Sequence, residues 1–292
     1  MTAEPAHNPA AERPDLTGQV AVVTGGGRGL GRAFATALAA AGAAVAVAAR
    51  SAAELEATVS DIERAGGRAL AHATDVTDAS AVAALMDRVE ASFGPITLLV
   101  NNAGAPSPLG PLAENEADAW WRCVEVNLRG PMLCMREVLP RMIARRRGRI
   151  VNIASGAGTR GLPYFSAYAT SKAALIRLTE IAAVENAPHG VAVFAIEPGT
   201  VRTAMAEHVL ESPDGRRWMP WFREIFESGR DVTPERAAEL VVFLASGQGD
   251  ALAGRLVSRA DDPAALARSA EDIVRRDLLV LRLRGLEQGG CA

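Results

Sequence analysis

Tyr168 and Lys172 stand four residues apart in the stretch Tyr-Ala-Thr-Ser-Lys, which suits a helix. Residues at i and i+4 project from one helical face, so the phenol and the ammonium lie within mutual reach. A free phenol titrates near ~10 and is a poor base at neutral pH; a nearby ammonium favours the phenolate and is expected to bring it toward the working range. Ser155 follows a strand-like run, residues 149–154, and precedes Gly156. Its hydroxyl therefore falls at the carboxyl end of a strand, where open α/β sheets bind ligands, and can hydrogen-bond a substrate oxygen.

Such groups need a scaffold that brings distant segments together. From Val20 onward, short apolar runs alternate with longer helical patterns, the signature of βαβ units that build a parallel sheet with helices on both faces. Strands are expected to begin near Val20, Ala44, Arg68, Leu98, Arg149 and Val191, with one long amphipathic helix over residues 116–145 joining the fourth and fifth. A chain of 292 residues with 49% hydrophobic residues fits a single α/β domain.

The first strand runs into Gly25, Gly26, Gly27, Arg28, Gly29, Leu30 and Gly31, followed by an Ala-rich helical stretch. Glycines let backbone turn tightly and approach a pyrophosphate, and the helix start offers unpaired N–H groups and positive dipole to phosphates. The second strand ends at Ala49 and Arg50, where dinucleotide folds meet the adenosine ribose. An acidic side chain there pairs with the 2′-hydroxyl of NAD; Arg50 instead offers a forked cation to a 2′-phosphate, and Arg28 is placed to reach the same group. NADP(H) is favoured, with NAD(H) as the alternative.

The spacing Thr-Gly-x-x-x-Gly-x-Gly, the run Asn101-Asn102-Ala103-Gly104 and the Tyr-x-x-x-Lys pair together resemble the short-chain dehydrogenase/reductase family over roughly residues 16–256. The resemblance implies a doubly wound parallel sheet of Rossmann type and hydride transfer between a nicotinamide and a carbonyl or secondary alcohol. It implies a catalytic set of Asn127, Ser155, Tyr168 and Lys172, with Asn127 holding a proton-relay water. It also implies cofactor contacts at Gly25, Arg28, Gly29, Leu30, Gly31, Arg50, Ser51, Asp75, Val76, Asn102, Ala103, Gly104, Tyr168, Lys172, Pro198, Gly199, Val201 and Thr203. Asp75-Val76 matches the adenine-holding pair, and Pro198-Gly199 with Thr203 the loop at the nicotinamide end. The family chemistry needs no metal, and His7, His72, His189 and His208 show no paired ligand spacing. A related epimerase or dehydratase fits less well, since those relatives usually carry a different glycine spacing and a longer substrate domain. Loss of chemistry on the same fold, leaving a nucleotide sensor or scaffold, is the rival from another class.

Residues 216–226 gather Trp218, Trp221, Phe222 and Phe226 in a chain with 4% aromatics; spacings of three and four put them on one face of a helix, as a substrate lid over residues 203–230 or ordinary core packing requires, and the position beside the proposed site favours the lid. With the apolar residues 105–112 and 156–165 they point to a hydrophobic or aromatic ketone, although Arg160 and Arg217 leave a carboxylate open. Arginines 145, 146, 147 and 149 fall where a helix ends and complement its dipole. Past Gly254 and a short strand, the chain departs from the family pattern into a charged helical extension, residues 259–292. That departure puts in doubt the oligomer interface built from the last strand, so dimer and tetramer both stay open.

The balance of 31 basic against 34 acidic residues, net −3, gives no case for binding nucleic acid phosphates. Cys123, Cys134 and Cys291 are odd in number and widely spaced, which suits free thiols in a reducing compartment. Residues 1–15 read as a tail without the apolar core of a signal peptide, and no apolar run approaches the roughly 18 residues of a membrane span. A cytoplasmic homo-oligomer acting on a small carbonyl or alcohol is the expectation.

Overall fold

A computed structural model describes residues 14–259 and 261–283. Seven strands, β1 (Val20–Thr24), β2 (Ala44–Ala49), β3 (Arg68–Ala73), β4 (Leu98–Asn101), β5 (Gly148–Ile153), β6 (Val191–Glu197) and β7 (Leu256–Ser258), form one parallel sheet in the order β3-β2-β1-β4-β5-β6-β7. Alternation decides which core each strand residue joins. Ala21, Val23, Val45 and Val47 face Phe34 and Leu38 of α1 (Gly29–Ala40), Leu55 and Ile62 of α2 (Ala52–Arg64), and the apolar side of α10 (Pro234–Ser246). Val20, Val22, Ala46 and Ala48 face α3 (Ala79–Phe93), α5 (Gly130–Arg145) and α6 (Ser166–Asn186) on the other side. Helices thus cover both faces of a doubly wound single domain. From β1 the chain winds outward to β3, then returns to β4 on the other side of β1, and this reversal opens a crevice at the strands' carboxyl ends.

The long helix expected over residues 116–145 is divided. It comprises α4 (Ala117–Val124), a π-helical turn (Glu125–Arg129) and α5. The wide turn re-aims Asn127, and such turns recur at functional sites. The lid is divided as well, into α7 (Ala204–Glu211), α8 (Pro213–Trp218) and α9 (Trp221–Glu227). Its four aromatics therefore do not share one helix face. Pro220 has no N–H to continue α8 and holds Met219 at φ −128°, ψ 47°, outside the helical region, so the chain breaks between Trp218 and Trp221. The arginines near the end of α5 bind neighbours: Arg145 donates to Ile96 O, Arg146 to Pro188 O, and Arg149 forks onto Asp250 with two bonds of 2.7 Å.

Beyond β7 the chain does not leave the domain. Helix α11 (Pro263–Arg275) buries Leu266, Ala270 and Ile273 in the α1/α10 core, and residues 276–283 then turn back along β7. Leu256 N donates to Leu279 O at 2.8 Å, Arg177 reaches Leu281 O at 2.6 Å, and Arg282 binds Glu180 at 2.6 Å. This strap covers the free edge of the sheet. Most of the expected N-terminal tail, and Cys291, lie outside the described residues.

Candidate active site

The glycine loop closes between β1 and α1, pinned from two sides. Asn102 Nδ2 donates to Thr24 O (2.9 Å) and Gly25 O (3.2 Å), while Thr24 Oγ1 accepts from the backbone N–H groups of Asn102 and Ala103. Thr58 of α2 donates to Gly26 O and Gly27 O. Gly31 has no space for a side chain, since a Cβ there would stand 2.1 Å from Gly25 O, and Gly29 adopts φ +53°, which favours glycine. Arg28 at the N-cap makes no side-chain capping bond, so the first N–H groups of α1 keep their capacity for an anion. These features fit a dinucleotide pyrophosphate.

Arg28, placed by the sequence to reach the 2′-phosphate, meets Glu54 Oε1 at 3.3 Å on an exposed surface. Arg50 at the end of β2 is exposed, and its charge, after the hydrogen bonds from Thr77 N and Oγ1, helps hold the Asp75 carboxyl below its ordinary range. Arg50, Asp75 and the next residue, Val76, thus border one rim of the crevice. Ser51 caps α2 by accepting from Glu54 N, and Thr203 caps α7, its methyl facing Gly29 across the cleft. Leu30 is half-buried against the α1 core, Val201 makes an isolated bridge to Val232, and Pro198-Gly199 turns out of β6 with Gly199 at φ +79°.

At the carboxyl end of β5, Ser155 caps the short turn Gly156–Thr159 through Ala157 N, and its hydroxyl lies near enough to Tyr168 of α6 to favour the phenolate. The Tyr168 ring stacks on Phe165 with centroids 4.6 Å apart, inside an apolar wall of Leu109, Met219, Trp221 and Phe222. Lys172 is buried, donates from Nζ to Ile153 O at 2.7 Å, and sits 5.5 Å from the Tyr168 ring centroid. The expectation that the ammonium draws the phenol toward neutrality is not met by the chain's own groups. Burial pushes Tyr168 up to about 12 against the lowering influence of the Ser155 hydroxyl, and burial likewise lowers Lys172 to about 8. Desolvation is the largest influence on each of the two groups.

Asn127 is fully buried in the π turn. Its Oδ1 accepts from Ala105 N at 2.8 Å, and its Nδ2 faces Ala105 O, Ser171 Oγ and Cys123 Sγ at 3.2–3.3 Å. It ties the segment after Gly104 to α6, one residue from Lys172. Gly104 borders the same amide, 3.4 Å from its Oδ1 by the position of a Cβ.

Thr58, Glu197 and the Asn152–Thr179 end of a buried chain escape a reading of local sequence. Asn101 Nδ2 donates to Asn152 Oδ1 (2.8 Å), and Asn152 donates to Thr179 (2.9 Å), a buried chain from β4 through β5 to α6. Thr58 holds the glycine loop from another helix. Glu197 ends β6 beside Gly156; a carboxylate closing an apolar strand directly before Pro198 was the one available signal.

The family model described as short chain dehydrogenase matches residues 19–214. The chain belongs to the short chain dehydrogenase family. It is 36% identical over 273 residues to a short chain dehydrogenase of Pseudocercospora fijiensis, covering 91% of this chain and 88% of that one. It is 40% identical over 194 residues to cis-4-hydroxycyclohexanecarboxylate dehydrogenase of Sinomonas cyclohexanicum, covering 66% and 76%. Among solved structures, a variant actinorhodin polyketide ketoreductase with NADPH superimposes with a TM-score of 0.75 at 32% identity, over 82% of this chain and 95% of that chain. This short chain dehydrogenase is accordingly an oxidoreductase of alcohol and carbonyl groups.

Proposed function

We propose that the enzyme uses NADP(H), in preference to NAD(H), to interconvert a ketone and a secondary alcohol, with Asn127, Ser155, Tyr168 and Lys172 as its catalytic group. The observation that carries this is the placing of Ser155 at the carboxyl end of β5 beside Tyr168, with buried Lys172 one helical turn on. The bound nicotinamide supplies hydride in reduction and accepts it in oxidation. Ser155 orients the substrate oxygen. Tyr168, whose high pKa keeps it protonated at neutral pH, gives that oxygen its proton, and Lys172 steadies the phenolate left behind. Asn127 holds the segment at Ala105 against α6 and, as the family resemblance implies, retains the water that returns the proton.

The nucleotide would lie along Gly25, Arg28, Gly29, Leu30 and Gly31, with Arg50 and Ser51 toward the 2′-phosphate and Asp75-Val76 at the adenine. Asn102, Ala103, Gly104, Pro198, Gly199, Val201 and Thr203 would border its nicotinamide half, and Lys172 would hold the ribose. The absence of an acid after β2 and the NADPH in the ketoreductase support the phosphorylated cofactor. The wall around Tyr168 supports an apolar or aromatic ketone, and a relative is named for a cyclohexane alcohol.

Exposed Trp121, Met132, Ile181 and Val184 on α4, α5 and α6 support a homo-oligomer, to be checked by light scattering. No helix among the described residues is long and apolar enough to cross a membrane, and with free Cys123 and Cys134 this supports a cytoplasmic setting. The deciding experiment titrates the purified protein with NADPH and NADH by nicotinamide fluorescence, then adds ketones and quinones. Tight NADPH binding followed by oxidation is expected; no binding of either nucleotide would favour a scaffold.

A further inference from the structure

A cavity of about 250 Å³ lies at the carboxyl ends of β6 and β7, beside the Pro198-Gly199 turn. Glu197, Thr200, Arg230 and Arg259 supply its polar lining, and Ile225 and Val232 its apolar walls. The three ionisable side chains share this space without pairing. Glu197 Oε2 accepts from Ser258 Oγ at 2.9 Å, and Arg230 Nε donates to Ser228 Oγ at 2.8 Å. Among the described residues no carboxylate lies within ion-pair distance of either guanidinium, and Arg259 Nε is buried without a partner. A buried donor left unmatched calls for a group from outside the chain. Two guanidinium groups against one carboxylate leave one positive charge, and the forked donors of arginine suit a carboxylate.

The cavity adjoins the proposed reaction centre through two shared elements. Gly156, next to Ser155, lies so close to Glu197 that a Cβ there would stand 2.7 Å from Oε1. Helix α9 packs Trp221 and Phe222 against the wall around Tyr168 and, one turn on, lines the cavity with Ile225.

We propose that this cavity is a carboxylate subsite, holding the acid group of the substrate while its carbonyl is presented to Ser155 and Tyr168. The substrate class becomes a keto acid and its hydroxy acid. The proposal rests on the reading of Ser155 and Tyr168 given above. Glu197 disfavours a second negative charge and can accept a hydroxyl, so a monoanion is the fitting ligand.

The test compares ketones that differ only in a carboxylate: acetophenone with 3- and 4-acetylbenzoate, and cyclohexanone with 3- and 4-oxocyclohexanecarboxylate. In the wild type the preferred acid should show a KM at least about tenfold below its neutral partner. Arg259→Gln and the exposed Arg230→Gln should each raise that KM roughly tenfold, in the range of a charge-assisted bond, and leave the neutral ketone and NADPH affinity within about twofold. Glu197→Gln should lower the KM of the acid, an opposite sign that mere loss of structure would not produce. Equal KM values for acid and neutral partners, or equal losses on both in the arginine variants, would overturn the proposal. Turnover of neutral ketones reports separately on the catalytic reading. If no ketone is turned over, calorimetry with benzoate decides: binding by the wild type that Arg259→Gln abolishes upholds the carboxylate site, and no binding overturns it.

Discussion

A phenol held near 12 is protonated at every ordinary assay pH, so Tyr168 rests as the acid that the proposed ketone reduction requires. Tyr168→Phe keeps the ring and its stacking on Phe165 but removes that proton. Turnover should fall about 10²–10⁴-fold while NADPH affinity stays within a few-fold, as steady-state kinetics and fluorescence titration would measure. Lys172 carries a second consequence. Its folded pKa of about 8 lies below the ordinary 10.5, so between these values the unfolded chain holds a proton that the native chain has lost, and this group's contribution to stability rises with pH. Below pH 8 the burial cost is felt in full. Cys123, Cys134 and Tyr168 act in the opposite direction, because burial raises them to about 11, 12 and 12, and their contributions fall as pH climbs past 9 to 10. Comparing wild type with Lys172→Met isolates the lysine. Without nucleotide, any stability advantage of the methionine variant should shrink steadily from pH 8 to 10.5 in urea unfolding, and a constant difference would show that Lys172 is not desolvated as described.

At the scale of elements, the glycine loop and the π turn are held by side chains from elsewhere, and there variants should act through geometry. Asn127→Leu keeps the volume but orphans the half-buried N–H of Ala105, at a cost of about 1–3 kcal/mol in denaturant unfolding, and should reduce kcat more than it raises the KM for NADPH. At the end of β2, Ala49→Asp with Arg50→Ala should move selectivity at least about tenfold toward NADH, measured as the ratio of kcat/KM values. Unchanged selectivity would assign the phosphate to Arg28, freed from Glu54, or to another cation.

These elements also mark what local sequence can express. Strand starts at Val20, Ala44, Arg68, Leu98 and Val191 match the structure because buried parallel strands read as short apolar runs; β5 begins one residue before Arg149, at Gly148, which packs against Met142. Tyr168 and Lys172 were legible because helical spacing is local. The π turn was not, since the partner of Asn127 lies 22 residues away at Ala105. The lid misled because spacings of three and four at Trp218, Trp221 and Phe222 ignore what Pro220 does to the backbone between them. Trp218 instead stacks on Tyr164 at 4.8 Å, and Phe226 lies beneath Arg202.

Over the whole molecule, the extension after β7 alters how the enzyme can meet copies of itself. A parallel sheet ends in strands whose outer N–H and C=O groups are templates for pairing, and β7, only three residues long, would offer one such edge. The strap engages it through Leu256 N and Leu279 O, adds Leu281 beside Ala154 and Ile176, and is locked by Arg282 to Glu180 and by Arg255 to Asp277 at 3.5 Å. With the edge occupied, the exposed apolar side chains of α4 to α6 are left as the surface for a second copy, which predicts a dimer. Ending the chain after Ser258 uncovers the edge and removes Leu266, Ala270 and Ile273 from the core, so a gain in association would be confounded by a loss of stability. Ending it after Arg276 keeps α11 and removes only the returning segment. That variant should fold with a modestly lower Tm and shift by light scattering from dimer toward tetramer or larger species, whereas an unchanged dimer would show that α11 alone suffices to guard the edge.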